Sequence, residues 1–240
     1  MADELTAYAA DYLYEAVLRL FRGKPRGRIL DIPSGQGAFA KELLDLGYSD
    51  LVCVDINEED FKLKGKVEFL VHDINSPLPF ASGSFDDLFC LEGLEHLKNP
   101  YGLVEELCRV LKPGGFLYIS TPNIMSVDGR FKFLLTGYFP RFKDLMKDRD
   151  NVRKEGLQAH IFPIYFWQLK YFLENGGVEI RRLAMNEAIR HDRPMRNLLQ
   201  GLFKYAIRHT VTRRHFPDEG TLSDAMLMGD CLIIEAQKGT

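Results

Sequence analysis

The sequence lacks the features of secreted, membrane-spanning and metal-cluster proteins. It has four cysteines in 240 residues, and no two of them have the Cys-x-x-Cys spacing of zinc or redox sites. No apolar run approaches the roughly 18 residues that cross a bilayer. The first residues are acidic, whereas a secretion signal begins with a basic segment. We therefore expect buried, reduced thiols in a cytoplasmic protein without a membrane span.

A surplus of either charge is also missing. Lys and Arg number 31 against 34 Asp and Glu, a net charge of −3, which argues against nucleic acid as a partner. The six histidines show no metal-ligand spacing with one another, so no metal site is predicted. A metal site made of histidine and carboxylate ligands that only folding brings together stays an open alternative. The length fits one α/β domain over residues 1–240.

The most informative stretch of the sequence predicts a buried strand, a tight turn and a helix. It runs from Arg28 to Ala40. Gly35 and Gly37 allow the backbone to turn and to approach a ligand closely, and their spacing to Ala40 fits a weak dinucleotide-binding pattern. Asp31 stands before this turn, where a carboxylate repels a pyrophosphate but attracts an ammonium group. S-adenosylmethionine carries an ammonium beside a sulfonium, so the turn favours a cationic nucleoside.

Two further acids end the next two predicted strands. Asp55 closes the apolar run Leu51–Asp55, where it can accept hydrogen bonds from both ribose hydroxyls of a nucleotide. Asp73 follows a strand predicted over residues 66–71 and can accept the adenine amino group, or form a turn or helix N-cap instead. NAD also contains the ribose, so Asp55 leaves both ligands open and Asp31 favours the methyl donor.

Strands then alternate with helices, which predicts a parallel sheet with ligands beyond its carboxyl ends. Helices are expected over residues 3–22, 100–111 and 163–174, and later strands over 84–91, 116–120, 178–183 and 230–236. Two stretches interrupt the alternation, at about 124–160 and 187–215. They are too long for simple connections and are interpreted as insertions that form a cap.

Two motifs resemble the class I S-adenosylmethionine-dependent methyltransferases. Ile29–Gly37 is similar to the first motif of that family, with Pro33 and Ser34 in place of the usual Gly-Cys, and Leu107–Gly115 is similar to its Arg-x-Leu-Lys-Pro-Gly-Gly turn. Residues 92–97, 121–123 and 160–162 resemble the subgroup that methylates quinones, sugars and lipids. The resemblance implies a Rossmann-like seven-stranded, mostly parallel sheet with helices on both faces. Its last strand is antiparallel and lies between the fifth and sixth strands.

The resemblance also implies a set of site residues, with S-adenosyl-L-methionine as the cofactor. The implied cofactor contacts are Asp31, Pro33, Gly35, Gly37, Asp55, Ile56, Asp73, Ile74 and Leu91. The catalytic candidates are Glu92, His96 and His160, and the substrate-binding candidates are Asn123, Arg130 and Tyr138. Instead of a catalytic role, His96 could be a structural histidine that hydrogen-bonds to the backbone. His160 could be a structural contact that anchors the insertion.

The insertions combine basic and aromatic residues, eight Lys and Arg over residues 130–154 and seven over 190–214. We expect them to choose a small acceptor that is phosphorylated or lipid-linked, or else to form a solvated face over packed aromatics. The sequence leaves open whether the protein contacts a membrane surface and whether it is a monomer or a homodimer. The expected reaction is in-line methyl transfer to oxygen, in preference to carbon or nitrogen.

Two other functions compete with methyl transfer. The first is an NAD-dependent oxidoreductase, against which Asp31 and the lack of a Tyr-x-x-x-Lys pair near the fifth strand argue. The second is an inactive cofactor-binding partner module, which the unusual Pro33 and Gly93 favour.

Overall fold

The protein is built on one seven-stranded sheet. The computed structural model describes residue 9 and residues 12–142, 159–190, 194–213 and 219–240. The strands are β1 Ile29–Asp31, β2 Leu51–Asp55, β3 Glu68–Val71, β4 Phe85–Leu91, β5 Leu111–Pro122, β6 Val178–Met185 and β7 Cys231–Lys238. The helices are α1 Leu13–Phe21, α2 Ala38–Asp45, α3 Pro100–Val110, α4 Val127–Thr136, α5 Phe166–Asn175, α6 Pro194–Arg213 and α7 Asp224–Met228.

The strand order is β3-β2-β1-β4-β5-β7-β6. All neighbours are parallel except the two pairs that contain β7, which is antiparallel to both β5 and β6. This confirms the predicted Rossmann-like sheet, including the insertion of the last strand between the fifth and the sixth. The order reverses between β1 and β4, which leaves a crevice at their carboxyl ends where ligands of such sheets bind.

Helices cover both faces of the sheet and give it two apolar cores. One core packs α3, α5 and α7 against the sheet through residues such as Leu107, Leu169 and Met226. The other packs α1 and α2 through residues such as Val17 and Phe39. Because central parallel strands are covered on both faces, β1, β2 and β4 are nearly continuous apolar runs. Cys53, Cys90, Cys108 and Cys231 are free and buried, as predicted.

Some boundaries differ from the prediction for local reasons. β5 begins at Leu111, because this residue pairs with Phe85 before the chain loops out and resumes pairing at Phe116. α5 begins at Phe166, three residues late, because Phe162 and its neighbours are held extended by backbone hydrogen bonds to Glu95. β7 runs on to Lys238, where it still pairs with β6. Residues 3–8, 10 and 11 of the predicted first helix lie outside the described residues.

The helical cap predicted from the two insertions is present as α4 and α6. Phe131 and Phe203 place their ring centroids 5.6 Å apart, and Gln200 Nε2 donates to Asp128 Oδ2 at 2.5 Å. Residues 143–158, 191–193 and 214–218, with part of the basic charge of the insertions, lie outside the described residues. In the described parts of the chain, none of the helices has the length and apolarity needed to cross a membrane.

Candidate functional site

A cavity of about 650 Å³ lies at the carboxyl ends of the central strands. Loops after β1, β2, β3 and β4 supply most of its lining, together with Tyr14 of α1 and with Arg141 and His160 from the first insertion. The structure thereby brings together most of the predicted site. The predicted residues that line the cavity are Pro33, Gly35, Asp55, Ile56, Asp73, Ile74, Leu91, Glu92, His96 and His160.

A second depression of about 710 Å³ lies between α5 and β6. Its lining combines exposed charged side chains such as Lys170, Glu179 and Arg181. It lies beside an edge strand, away from the strand ends that bind ligands in such sheets. We therefore assign ligand binding to the first cavity.

The glycine turn after β1 brings backbone to the edge of this cavity. Gly37 has φ 89°, and a Cβ there would lie 3.0 Å from side-chain atoms of Leu63 and Phe61. Gly35 N donates to Asp55 Oδ2 at 2.8 Å, and Asn57 N donates to Asp55 Oδ1 at 3.0 Å. Asp55 therefore ties the turn to the end of β2 and keeps lone pairs on both oxygens for a ligand hydroxyl.

Asp31 is a buried carboxylate at the end of the central strand β1. It is 3% exposed, and no hydrogen bond from a described residue reaches its Oδ2. Burial and then the charge of Asp55 raise the pKa of Asp31 to about 8. A cation beside it would favour the ionised form again. This environment fits a ligand ammonium group.

The loop after β3 forms another part of the cavity wall. Asp73 Oδ1 accepts from the backbone N and the side-chain Nδ2 of Asn75, both at 2.9 Å, and these hydrogen bonds hold the pKa of Asp73 below its usual value. The predicted turn-forming role is therefore present, and the carboxylate also faces the cavity. His72, which the sequence did not single out, adds a buried Nε2 that no described residue hydrogen-bonds.

Glu92 lies directly after β4, in another part of the wall. Arg141 Nη1 donates to Glu92 Oε2 at 3.1 Å, and Arg141 also pairs with Asp230. Burial raises the pKa of Glu92, while the guanidinium of Arg141 acts in the opposite direction. Sequence reasoning counted Arg141 among the cap cations but not in the site, because its position depends on the path of the insertion.

His96 and His160 meet in the same region. Their ring centroids are 4.8 Å apart in an edge-to-face arrangement. His96 Nδ1 lies 3.1 Å from the carbonyl oxygen of Ala159, and since a carbonyl only accepts, Nδ1 carries the proton. Burial lowers the pKa of His96, while hydrogen bonds to the backbone of Ala159 and Glu92 act in the opposite direction. The lowered pKa favours the neutral imidazole, which keeps a lone pair on one ring nitrogen. The backbone contact considered as an alternative role for His96 therefore orients the ring.

The three predicted substrate contacts do not line the cavity. Asn123 Nδ2 donates to the carbonyl oxygens of Ala225, Met226 and Gly229 at 3.1, 2.9 and 2.9 Å, which fixes the approach to β7. Arg130 Nε donates to the Met125 carbonyl at 2.8 Å. Tyr138 is exposed after α4. Their side chains are placed by cap and backbone contacts that spacing along the chain does not reveal.

Pro33 and Gly93, the two unusual residues, contact each other. A Cβ on Gly93 would lie 2.3 Å from Pro33 Cδ and 2.9 Å from Pro33 Cγ. Glycine at position 93 therefore makes room for the proline ring at position 33. The two departures from the common pattern have one steric cause, and it weakens the case for an inactive module.

The sequence profile of the Methyltransferase domain family matches residues 30–119. That span runs from within β1 to within β5 and contains most of the cavity lining. This match and the observed sheet together support assignment to the class I S-adenosylmethionine-dependent methyltransferases. Their cofactor is S-adenosylmethionine, and the residues present fit it. The unpaired Oδ2 of Asp31 suits its ammonium group, and the unpaired Nε2 of His72 lies beside Asp73, where the adenine is expected.

Other proteins similar to this chain extend the comparison. A ubiquinone biosynthesis O-methyltransferase of Xanthomonas oryzae pv. oryzae strain PXO99A is 33% identical over 104 residues, 40% of this chain and 43% of that protein. The match thus spans less than half the length of this curated relative. An S-adenosylmethionine-dependent methyltransferase from Archaeoglobus fulgidus superposes with a TM-score of 0.55 at 20% identity, over 92% of this chain and 91% of that one.

The same fold also occurs in a protein with a different reaction. The [4+2]-cyclase SpnF superposes with a TM-score of 0.55 at 20% identity, over 95% of this chain and 81% of that one. Likeness at this identity shows the fold alone. The reaction of this chain therefore has to be argued from its own site.

Proposed function

We propose that this protein transfers a methyl group from S-adenosylmethionine to a hydroxyl oxygen of a small acceptor. The observation that carries the proposal is the composition of one cavity. It joins Asp55, Asp73 and the glycine turn, which suit the cofactor, to Glu92, His96 and His160. The O-methyltransferase name of the curated relatives supports oxygen as the acceptor atom.

In this proposal the strand-end acids hold the cofactor. Asp31 lies nearest the ammonium group, and Asp55 accepts the ribose hydroxyls while it holds the glycine turn. Asp73 and His72 bind the adenine. S-adenosylmethionine supplies a methyl group activated by its sulfonium.

The remaining residues would align the acceptor and remove its proton. Alignment lowers such barriers by about 7 to 11 kcal/mol. His96 is neutral, with its lone-pair nitrogen set by the bond from Nδ1 to Ala159, and therefore suits a hydroxyl proton acceptor. Glu92 is held by Arg141 and positions the acceptor. His160 packs on His96 and fixes its ring.

We further propose that the acceptor is lipid-like rather than phosphorylated. Among the described residues of the cap, Arg141 pairs with Glu92 and Asp230, and Lys204 and Arg208 both pair with Asp224. Their charge is thus compensated within the protein. The cap also exposes large apolar side chains, which suit an acceptor with an alkyl tail. They are Phe131, Phe133, Leu134, Leu135, Leu198, Leu199 and Leu202.

Cofactor binding is tested by calorimetry on Asp55→Ala. Loss of a charged hydrogen bond costs about 1.5 to 3 kcal/mol, so S-adenosylmethionine should bind at least about tenfold more weakly. Asp45→Ala, on the exposed end of α2, is the matched control and should leave affinity unchanged. Tight binding of NAD with no binding of S-adenosylmethionine would instead support the oxidoreductase alternative.

Methyl transfer is tested with labelled cofactor and three phenolic acceptors, one with an alkyl tail, one without and one phosphorylated. The tailed phenol should react best, with the label on oxygen. His96→Ala should lower kcat by about 10² to 10⁴, whereas His209→Ala, on exposed α6, should not. Absence of transfer to all acceptors by cofactor-bound protein, or equal kcat in both variants, would contradict the proposal.

A further inference from the structure

Three side chains with metal-binding atoms converge beside the cavity. Glu95, His96 and His160 each place one ligand atom within 4.8 Å of the others. His96 and His160 line the cavity, while Glu95 lies behind them and is fully buried. The cluster therefore has a closed side in the protein interior and an open side toward the acceptor.

Backbone hydrogen bonds fix this arrangement. The carbonyl oxygen of Glu95 accepts from the backbone N of Ile161 at 2.9 Å and of Phe162 at 3.0 Å. His96 Nδ1 donates in return to the Ala159 carbonyl at 3.1 Å. The turn over Leu94–His96 and the segment around His160 are thus joined from both sides. The ring of His160 is also packed edge-on against that of Phe142, at 5.5 Å.

One oxygen of the buried Glu95 carboxylate has no hydrogen bond from a described residue. That oxygen is Oε1, whereas Oε2 accepts from Thr121 Oγ1 at 3.3 Å. Burying a carboxylate without compensation is costly, and buried carboxylates are paired, protonated or bound to metal.

We propose that Glu95, His96 and His160 bind a divalent transition-metal ion beside the acceptor. Two imidazoles and one carboxylate form a donor set of catalytic zinc and of related first-row metals. Ligand distances near 2.0 to 2.2 Å bring the donor atoms to about 3 to 4 Å from one another, so the cluster closes by small side-chain rotations. The Ala159 carbonyl orients His96 as the outer partner of a metal-bound histidine usually does.

The proposed metal site adds a catalytic group to the proposed function. Its role in catalysis rests on that proposed function, whereas metal binding itself does not. The three side chains would hold the ion at the wall of the cavity, beside the acceptor hydroxyl. When bound, the ion would lower the pKa of that hydroxyl, and the released proton would pass to water in the cavity. His96 would then serve as a ligand, which refines the proton-acceptor role proposed for it above.

Cobalt(II) is the probe, because its visible absorption reports the ligands that bind it. The full chain is freed of metal with a chelator, dialysed and titrated with cobalt(II) alone. Wild type should bind one ion per chain, and zinc(II) should displace it. His96→Ala, His160→Ala and the isosteric Glu95→Gln should each weaken binding at least about tenfold. His209→Ala, which removes an exposed histidine that stacks on Tyr205, should bind as wild type does.

Several results would overturn the proposal. The first is that the wild-type protein does not bind cobalt(II) stoichiometrically. The second is that folded His96→Ala or His160→Ala protein binds cobalt(II) with the same affinity as wild type. Circular dichroism checks folding of each variant, and the wild-type titration decides alone if a variant does not fold. Cobalt(II) binding without methyl transfer would defeat only the proposed function. Methyl transfer that persists in chelated protein that binds no cobalt(II) would defeat only the metal site.

Discussion

The carboxylate of Asp31 is held in an environment that favours its protonated form. Its pKa of about 8 lies above the ordinary value of 3.8. Between these values the folded protein binds a proton that the unfolded chain has released, so stability falls as pH rises from about 4 to about 8. Among the titratable groups that face it, Tyr14, Cys53 and Cys90 have raised pKa values and stay neutral.

Asp31→Asn should therefore stabilise the ligand-free protein at pH 8 and weaken the cofactor. Each pKa unit is worth about 1.36 kcal/mol, so the gain in the free energy of unfolding should be at least about 1 kcal/mol at pH 8 and nearly absent at pH 4. Urea unfolding at both values measures it, and calorimetry should show cofactor affinity reduced at least about tenfold. Parallel pH profiles of variant and wild type would contradict the assignment. The readout is the difference in the free energy of unfolding between variant and wild type. Buried Asp87, with a pKa of about 6, titrates in both proteins and cancels in that difference.

The contact between Pro33 and Gly93 leads to a second prediction at the scale of single residues. Because a Cβ at position 93 would overlap the proline ring, Gly93→Ala should destabilise the protein by about 1 to 3 kcal/mol and weaken the cofactor. Pro33→Gly removes the obstructing ring, so the double variant should recover part of the loss that Gly93→Ala causes in the Pro33 background. A double-mutant cycle by thermal unfolding measures this coupling. Additive effects would show that the two residues do not act on each other.

At the scale of elements, α4 and α6 form a contact that is separate from the cofactor site. Phe203→Ala removes the ring that packs on Phe131, a contact worth about 0.5 to 1.5 kcal/mol. Backbone amides of both helices should then exchange hydrogen faster, while cofactor affinity stays the same because neither helix lines the cavity among the described residues. Leu202→Ala, at a 57% exposed position, is the control and should change little.

The same variant tests the role of the cap. If α4 and α6 together guide the acceptor, Phe203→Ala should raise the KM for the tailed phenol and leave the calorimetric affinity for S-adenosylmethionine unchanged. A loss of cofactor affinity as large as the change in KM would show that the cap supports the cofactor site instead. An unchanged KM would remove α4 and α6 from acceptor selection.

At the scale of the whole molecule, ligand binding should appear as stability. A ligand at 100 times its Kd stabilises the folded state by about 2.7 kcal/mol, and about 1 kcal/mol raises the Tm of a protein of this size by about 2 to 4 °C. S-adenosylmethionine or its demethylated product should therefore raise Tm by about 5 to 10 °C. NAD at the same concentration should not. Equal shifts with NAD would contradict a cofactor site that selects a cation through Asp31.

The sequence was enough to predict the sheet and the acids at its strand ends. The family resemblance implied the strand order, which the structure confirms. Local patterns predicted that Asp31, Asp55 and Asp73 lie at or just after strand ends, because an apolar run followed by a polar residue places that residue at a strand end. In a parallel sheet these ends share one edge, so local features were enough to bring them together.

The acceptor side depends on contacts between distant parts of the chain. His96 meets the Ala159 carbonyl 63 residues away, Arg141 meets Glu92 49 residues away, and Asn123 turns to backbone more than 100 residues away. Such contacts depend on the path of the insertions over the sheet, which no residue spacing records. For the same reason the convergence of Glu95, His96 and His160 could not be read from the chain, where histidine spacing predicted no metal site.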